Sequence, residues 1–147
     1  MKPLHLAKRF VGAVTAAPLT AIEQRETREL LTAAEADLFG RLTTPDQRHA
    51  LHVLRRFDEF APGAPPAARR AALLHDIGKV ESRLGTMARV VATIVGPRVG
   101  AFRRYHEHES RGVELLVAAG SDALTVSLVR GDADPVLVDA LRRADAI

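Results

Sequence analysis

The chain has no cysteine and no tryptophan, and its aromatic residues make up only 4% of the sequence. Without cysteine there are no disulfides, no thiolate nucleophile and no zinc-finger site. A metal site here must be built from His, Asp, Glu and water, which suits Mn, Fe, Co, Ni, Mg or a His-rich Zn centre. Stacking surface is equally scarce: Phe57, Phe102 and Tyr105 are the residues available for it, and Phe57 reads as core. Long apolar runs are missing too. Phe10-Val11-Gly12-Ala13-Val14 is too short for a membrane span, and the residues before it are too mixed for a secretory leader, so a cytoplasmic location is expected. A strong excess of one charge is also lacking, since the net charge is +3. Arginines come in scattered pairs (Arg55-Arg56, Arg69-Arg70, Arg103-Arg104, Arg142-Arg143) with acids between them, a pattern of solvated helix faces and not of a nucleic-acid surface. Lysine is rare as well, at Lys2, Lys8 and Lys79 only.

What the chain does have is helical apolar spacing throughout, 47% hydrophobic residues and 147 residues in all, enough for one domain with a sizeable core. The expected fold is an all-α bundle of about six to eight helices. Residues 1–31 read as an N-terminal extension, broken at Pro18. Thr32-Ala33-Ala34-Glu35 has capping-box spacing and predicts a short helix through Leu42. Thr44 with Pro45 predicts the start of a helix to Phe60, and the Pro/Gly-rich stretch 61–66 a loop. Further helices are expected from about Ala67, over Thr86–Val95, over Ala101–Ala119 closed by Gly120, and over Ser121–Val129. The last helix starts at Pro135, capped by Asp134.

The most informative segment is Ala71-Ala72-Leu73-Leu74-His75-Asp76-Ile77-Gly78-Lys79. An apolar helical run ends in an adjacent His-Asp pair. Imidazole plus carboxylate is a metal-ligand set, and an Asp in such a setting demands a cation or several donors. Asp145 follows Val138 and Leu141 at spacings of seven and four, so it continues an apolar stripe and should face inward, against the alternative of an exposed residue near the chain end. His49 and His52 both flank the stripe of Ala50, Val53, Leu54 and Phe57. His108 aligns with Gly112, Leu115 and Ala119, an inward face.

The order of a His, then His75-Asp76 within HDIGK, then Asp145 resembles the HD-domain superfamily of metal-dependent phosphohydrolases, over roughly residues 44–145. The resemblance implies His49, which follows Arg48 as the family's first His follows an Arg, with His75, Asp76 and Asp145 as ligands of one divalent ion; His52 is the fallback. It implies a possible second-metal or phosphate role for His108. Where two-metal relatives carry a further His, this chain has Val129-Arg130-Gly131-Asp132, so Asp132 is either a substitute oxygen ligand or a turn residue.

The implied activity is hydrolysis of a phosphomonoester or phosphodiester, by a metal-activated water, on a small phosphorylated molecule of the nucleotide class. Asp76 and Lys79 are then the catalytic candidates. Lys79 and Arg48 would hold substrate phosphate; their alternatives are a helix-end lysine and a surface ion pair. Two other readings stay open: a silent HD domain that binds a nucleotide or a protein partner, and a di-iron oxygenase, which the replacement at Gly131-Asp132 disfavours. Neither the oligomeric state nor the metal is fixed by these residues.

Overall fold

A computed structural model describes residues 16–80 and 108–146, the first three of the second stretch by their backbone alone. Within them the chain is all-helical. In chain order the helices are α1 (Ala21–Leu30), α2 (Ala33–Gly40), α3 (Thr44–Phe60), α4 (Pro66–Leu74), a 3-10 turn (Ile77–Val80), α5 (His108–Ala118), α6 (Ala123–Arg130) and α7 (Pro135–Asp145). This is the bundle the apolar spacing predicts. The predicted helix over Thr86–Val95 and the first part of the one from Ala101 lie outside the described residues. No helix among the described residues is long and apolar enough to cross a membrane.

The helix at the centre is α4. Ala68, Ala71, Ala72, Leu73 and Leu74 are all buried, and α4 packs on α1, α2, α3 and α6. A helix apolar on nearly every side has to be interior, and its alanines let neighbouring backbones come close. Its two arginines leave the core at once. Arg69 grips Asp58 of α3 with two hydrogen bonds (2.8 and 3.0 Å), while Arg70 donates to the free carbonyl of Leu30 at the end of α1 (2.7 Å). The buried apolar side chains form one cluster that also takes in Leu19 and Leu31.

Leu19 and Leu31 flank α1 on either side, and α1 itself buries Thr27. It opens with a capping box, in which Thr20 Oγ1 accepts from the Glu23 amide and Glu23 Oε2 accepts from the Thr20 amide (2.8 Å). The box at Thr32 and Glu35 opens α2 in the same way, and α2 ends at Gly40, two residues before the predicted limit. In both boxes the second carboxylate oxygen reaches out of its helix. Glu23 Oε1 accepts from Arg48 (2.8 Å), and the fully buried Glu35 accepts from Ser121 Oγ (2.8 Å) with Arg70 4.0 Å away. One residue type thus closes a local helix start and makes a tertiary contact.

Two boundaries shift for local reasons. Thr43, not Thr44, caps α3, because its hydroxyl accepts from the Asp46 amide and donates to Asp46 Oδ2 (2.8 Å). Asp122 caps α6, which runs from Ala123 to Arg130 and ends at Gly131 with a φ of 90°, a value that favours glycine. Pro135 at the start of α7 and its cap Asp134 stand where predicted.

Candidate metal centre

Helix α4 stops at Leu74, and His75 follows in α-helical geometry as its C-cap. The last carbonyls of a helix have no partners inside it. His75 supplies one: its Nδ1 lies 2.8 Å from the Ala72 carbonyl. A carbonyl only accepts, so Nδ1 carries a proton there and the neutral ring keeps its lone pair on Nε2. Asp76 comes next in the turn, and the 3-10 turn closes with the Lys79 amide donating to the Asp76 carbonyl (3.0 Å).

Around His75 Nε2 stand the other expected ligands. Asp145 Oδ1 is 3.3 Å away and Asp76 Oδ2 3.5 Å. His49 Nε2 lies 3.0 Å from Asp145 Oδ1. One ligand atom each from His49, His75 and Asp76 lies within 4.8 Å of the others. Ligands about 2.1 Å from one ion stand about 3.0 Å apart on an octahedral edge and about 3.4 Å on a tetrahedral one. The 3.3 Å separation to Asp145 falls in that range, and the 3.5 Å separation to Asp76 lies just above it.

The donor set also calls for a cation on chemical grounds. His75 Nε2 is buried and makes no properly directed hydrogen bond, although two carboxylates face it. A lone pair opposed to two carboxylates is repulsive unless a proton or a metal stands between them. The titration directions express this strain. Burial pushes the His75 imidazole down, yet the contact with Asp145 and the charges of Asp76 and Asp145 outweigh it and hold the ring above its ordinary value. Asp76 is pushed up by burial and pulled further down by His75 and Lys79, ending below the usual carboxylate range. Asp145 lies well below it, held there by the hydrogen bond with His49 and the close contact with the His75 ring against the effect of burial. Three nitrogen and oxygen donors here favour a positive charge in their midst, and a divalent ion fits the place.

The elements that aim these side chains come from distant parts of the chain. His49 projects from the face of α3 beside its buried stripe of Asp46, Ala50, Val53 and Phe57. Asp145 is the last residue of α7, which packs on α3. Arg56 of α3 fixes that end by donating to the free carbonyls of Arg143 and Ala144 (both 3.1 Å). Helix α5 packs on the 3-10 turn through Gly112, where a Cβ would sit 3.2 Å from the Gly78 nitrogen and 3.4 Å from Ile77 Cγ2. His75 and Asp76 are the more buried ligands and His49 and Asp145 the more exposed, so the site opens on the side of α3 and α7.

Other expected site residues stand elsewhere. Arg48 is engaged away from the cluster: its guanidinium donates to the carbonyls of Ala17 (3.3 Å) and Pro18 (2.8 Å) and to Glu23. That clamp holds Glu23 down to a pKa of about 2, chiefly through the Arg48 hydrogen bond. His52 is exposed and outside the cluster. Asp132 sits exposed in the turn after α6, 3.5 Å from Arg130, in the turn-residue reading and not among the clustered ligands. His108 begins α5, and its side chain lies outside the described residues. Lys79 does join the site, its Nζ 2.6 Å from Asp76 Oδ2.

One site residue was not foreseen. Asp46, buried in the first turn of α3, places Oδ1 3.7 Å from Lys79 Nζ. The Thr43-to-Asp46 spacing of a helix start is its only trace in the sequence, and that spacing speaks of capping and not of a lysine thirty-three residues on. No family model, no curated protein and no solved structure matches this chain.

Proposed function

We propose that this chain is a metal-dependent phosphohydrolase of the HD type, acting on a small phosphorylated molecule of the nucleotide class, in a cytoplasmic setting. The observation that carries this reading is the buried His75 Nε2, whose lone pair faces two carboxylates at the spacing of ligands around one ion. His49, His75, Asp76 and Asp145 would hold the ion. The nucleotide class rests on the resemblance of the motif order alone.

A divalent ion in this place supplies Lewis acidity, an acidified water and a polarised phosphoryl oxygen. The protein's own part is positional and electrostatic. The Ala72 carbonyl fixes the His75 ring so that Nε2 presents its lone pair. Burial of His75, Asp76 and Lys79 keeps bulk water from that side of the site. The Lys79 ammonium is the positive charge that would meet phosphoryl oxygens as negative charge builds on them. Opening on the α3 and α7 side gives substrate its approach past His49 and Asp145.

The test is metal content of freshly purified, tag-free protein, followed by hydrolysis of p-nitrophenyl phosphate and a panel of nucleotides with Mn2+. The expected result is about one ion per chain, lost in the His75→Ala/Asp76→Ala double variant, with phosphate release that Asp76→Ala abolishes. Metal-dependent hydrolysis unchanged by Asp76→Ala would overturn the mechanism, and failure to take up any divalent ion would overturn the site.

A further inference from the structure

Lys79 is a puzzle for a metal site. Its ammonium lies 2.6 Å from Asp76 Oδ2, so it occupies an oxygen of a carboxylate that an ion also needs. A divalent ion and an ammonium on the same carboxylate compete: each draws down the electron density that the other uses. Lys79 is mostly buried, and a buried ammonium that gives up a carboxylate loses a compensating charge.

The structure offers a second carboxylate. Asp46 Oδ1 is 3.7 Å from Lys79 Nζ, and Asp46 is itself buried. Its other oxygen is held by the Thr43 hydroxyl at 2.8 Å, which fixes the carboxylate plane at the first turn of α3. Lysine is a compact charge on a flexible stem, so a shift of about an ångström moves it from one carboxylate to the other. A local role as helix-start residue explains the oxygen on Thr43 but not the one turned to Lys79.

We infer that Asp46 is a positioning residue of the metal site: it is the second seat of the Lys79 ammonium, which frees Asp76 to bind a divalent ion while the lysine stays paired and in place. The inference rests on the metal reading above. Asp46 acts on the ion through Lys79 and not as a ligand.

That last property gives the test. Mn2+ alone is titrated calorimetrically into the full chain as wild type, Asp46→Asn, Lys79→Met and the double variant, with thermal unfolding followed in parallel. Asp46→Asn keeps an oxygen for Thr43 and removes the charge. With the second seat gone, Lys79 turns fully onto Asp76, and Mn2+ affinity should fall about tenfold, the scale of a group that orients a ligand. Lys79→Met removes the competitor and should bind Mn2+ at least as tightly as the wild type. In that background Asp46→Asn should change affinity by less than about twofold, since the two sites act as one unit. Equal losses in both backgrounds would mean that Asp46 acts by its own charge or through the fold, and would overturn the inference, as would no loss in the wild-type background. Should Asp46→Asn not fold, Lys79→Met still decides: weaker Mn2+ binding there removes the competition on which the inference stands. A wild type that takes up no Mn2+, Fe2+ or Ni2+ brings down the metal reading itself, a result distinct from these.

Discussion

His49 and Asp145 lie 96 residues apart in the chain and meet at 3.0 Å. The contact joins the middle of α3 to the last residue of α7, and it completes the ring of donors around His75. Loss of either side chain should therefore be felt at the proposed metal site before it is felt in the fold.

Asp145→Asn should show this. The side chain is 45% exposed, so its ion pairs are screened and the cost to stability should be about 1 kcal/mol or less. Mn2+ affinity, measured by calorimetric titration, should fall by at least about tenfold. A variant that binds Mn2+ as the wild type does would remove Asp145 from the ligand set.

Arg56 is expected to act on the same helix end by a different route. Arg56→Met keeps much of the apolar stem and removes both donors from the Arg143 and Ala144 carbonyls. Unfolding in urea should show a loss of about 1–2 kcal/mol, in the range for hydrogen bonds from a charged group. Amide exchange over residues 141–146 should speed up, with exchange in α4 unchanged.

The clamp between Glu23 and Arg48 should make stability depend on acid. The folded-state pKa of Glu23 is lowered from 4.5 to about 2. The contribution of this pair is therefore fully present above the unfolded value and is lost as pH falls from 4.5 through about 2. Melting temperatures of wild type and Glu23→Gln, taken from pH 7 down to pH 2, should differ at neutral pH and converge in acid. A constant difference across the range would show that the charge of Glu23 is not what holds Arg48.

Gly112 tests the close approach of α5 to the turn that carries the motif. In an open helix position Gly→Ala stabilises by about 1 kcal/mol. Here the added Cβ meets the backbone nitrogen of Gly78 at 3.2 Å, and that backbone is tied into the 3-10 turn. Gly112→Ala should forfeit the usual gain, and Gly112→Val should cost about 1–3 kcal/mol in thermal or urea unfolding. A stabilised Gly112→Ala would show that the turn gives way freely.

Much of this was legible in the sequence where the signal is local. The apolar run before His75, the Thr32-to-Glu35 box, the stripe leading to Asp145 and the Asp134-Pro135 start depend on spacings within one or two helical turns. The box at Thr20 and Glu23 carries the same local spacing, two residues after Pro18. The choice between Thr43 and Thr44 turned on Asp46, three residues beyond the correct one. What could not be read is what two helices do to each other. Arg48 follows the pattern of a residue beside a ligand, but its guanidinium is used up by carbonyls thirty residues upstream. Asp46 looks like a helix-start acid, and its second function exists only because the turn after α4 brings Lys79 against α3.

The docking of α7 has a consequence for how occupancy and order are linked. Among the described residues its main neighbour is α3, and its far end carries Asp145 to the imidazoles of His49 and His75. On the proposed metal reading, an ion held by α3, the turn after α4 and α7 would act as a cross-link that closes a loop of nearly a hundred residues. Such a staple stabilises by mass action, so α7 should peel away first when the metal is chelated, and the last helix of the chain becomes a gauge of how full the site is.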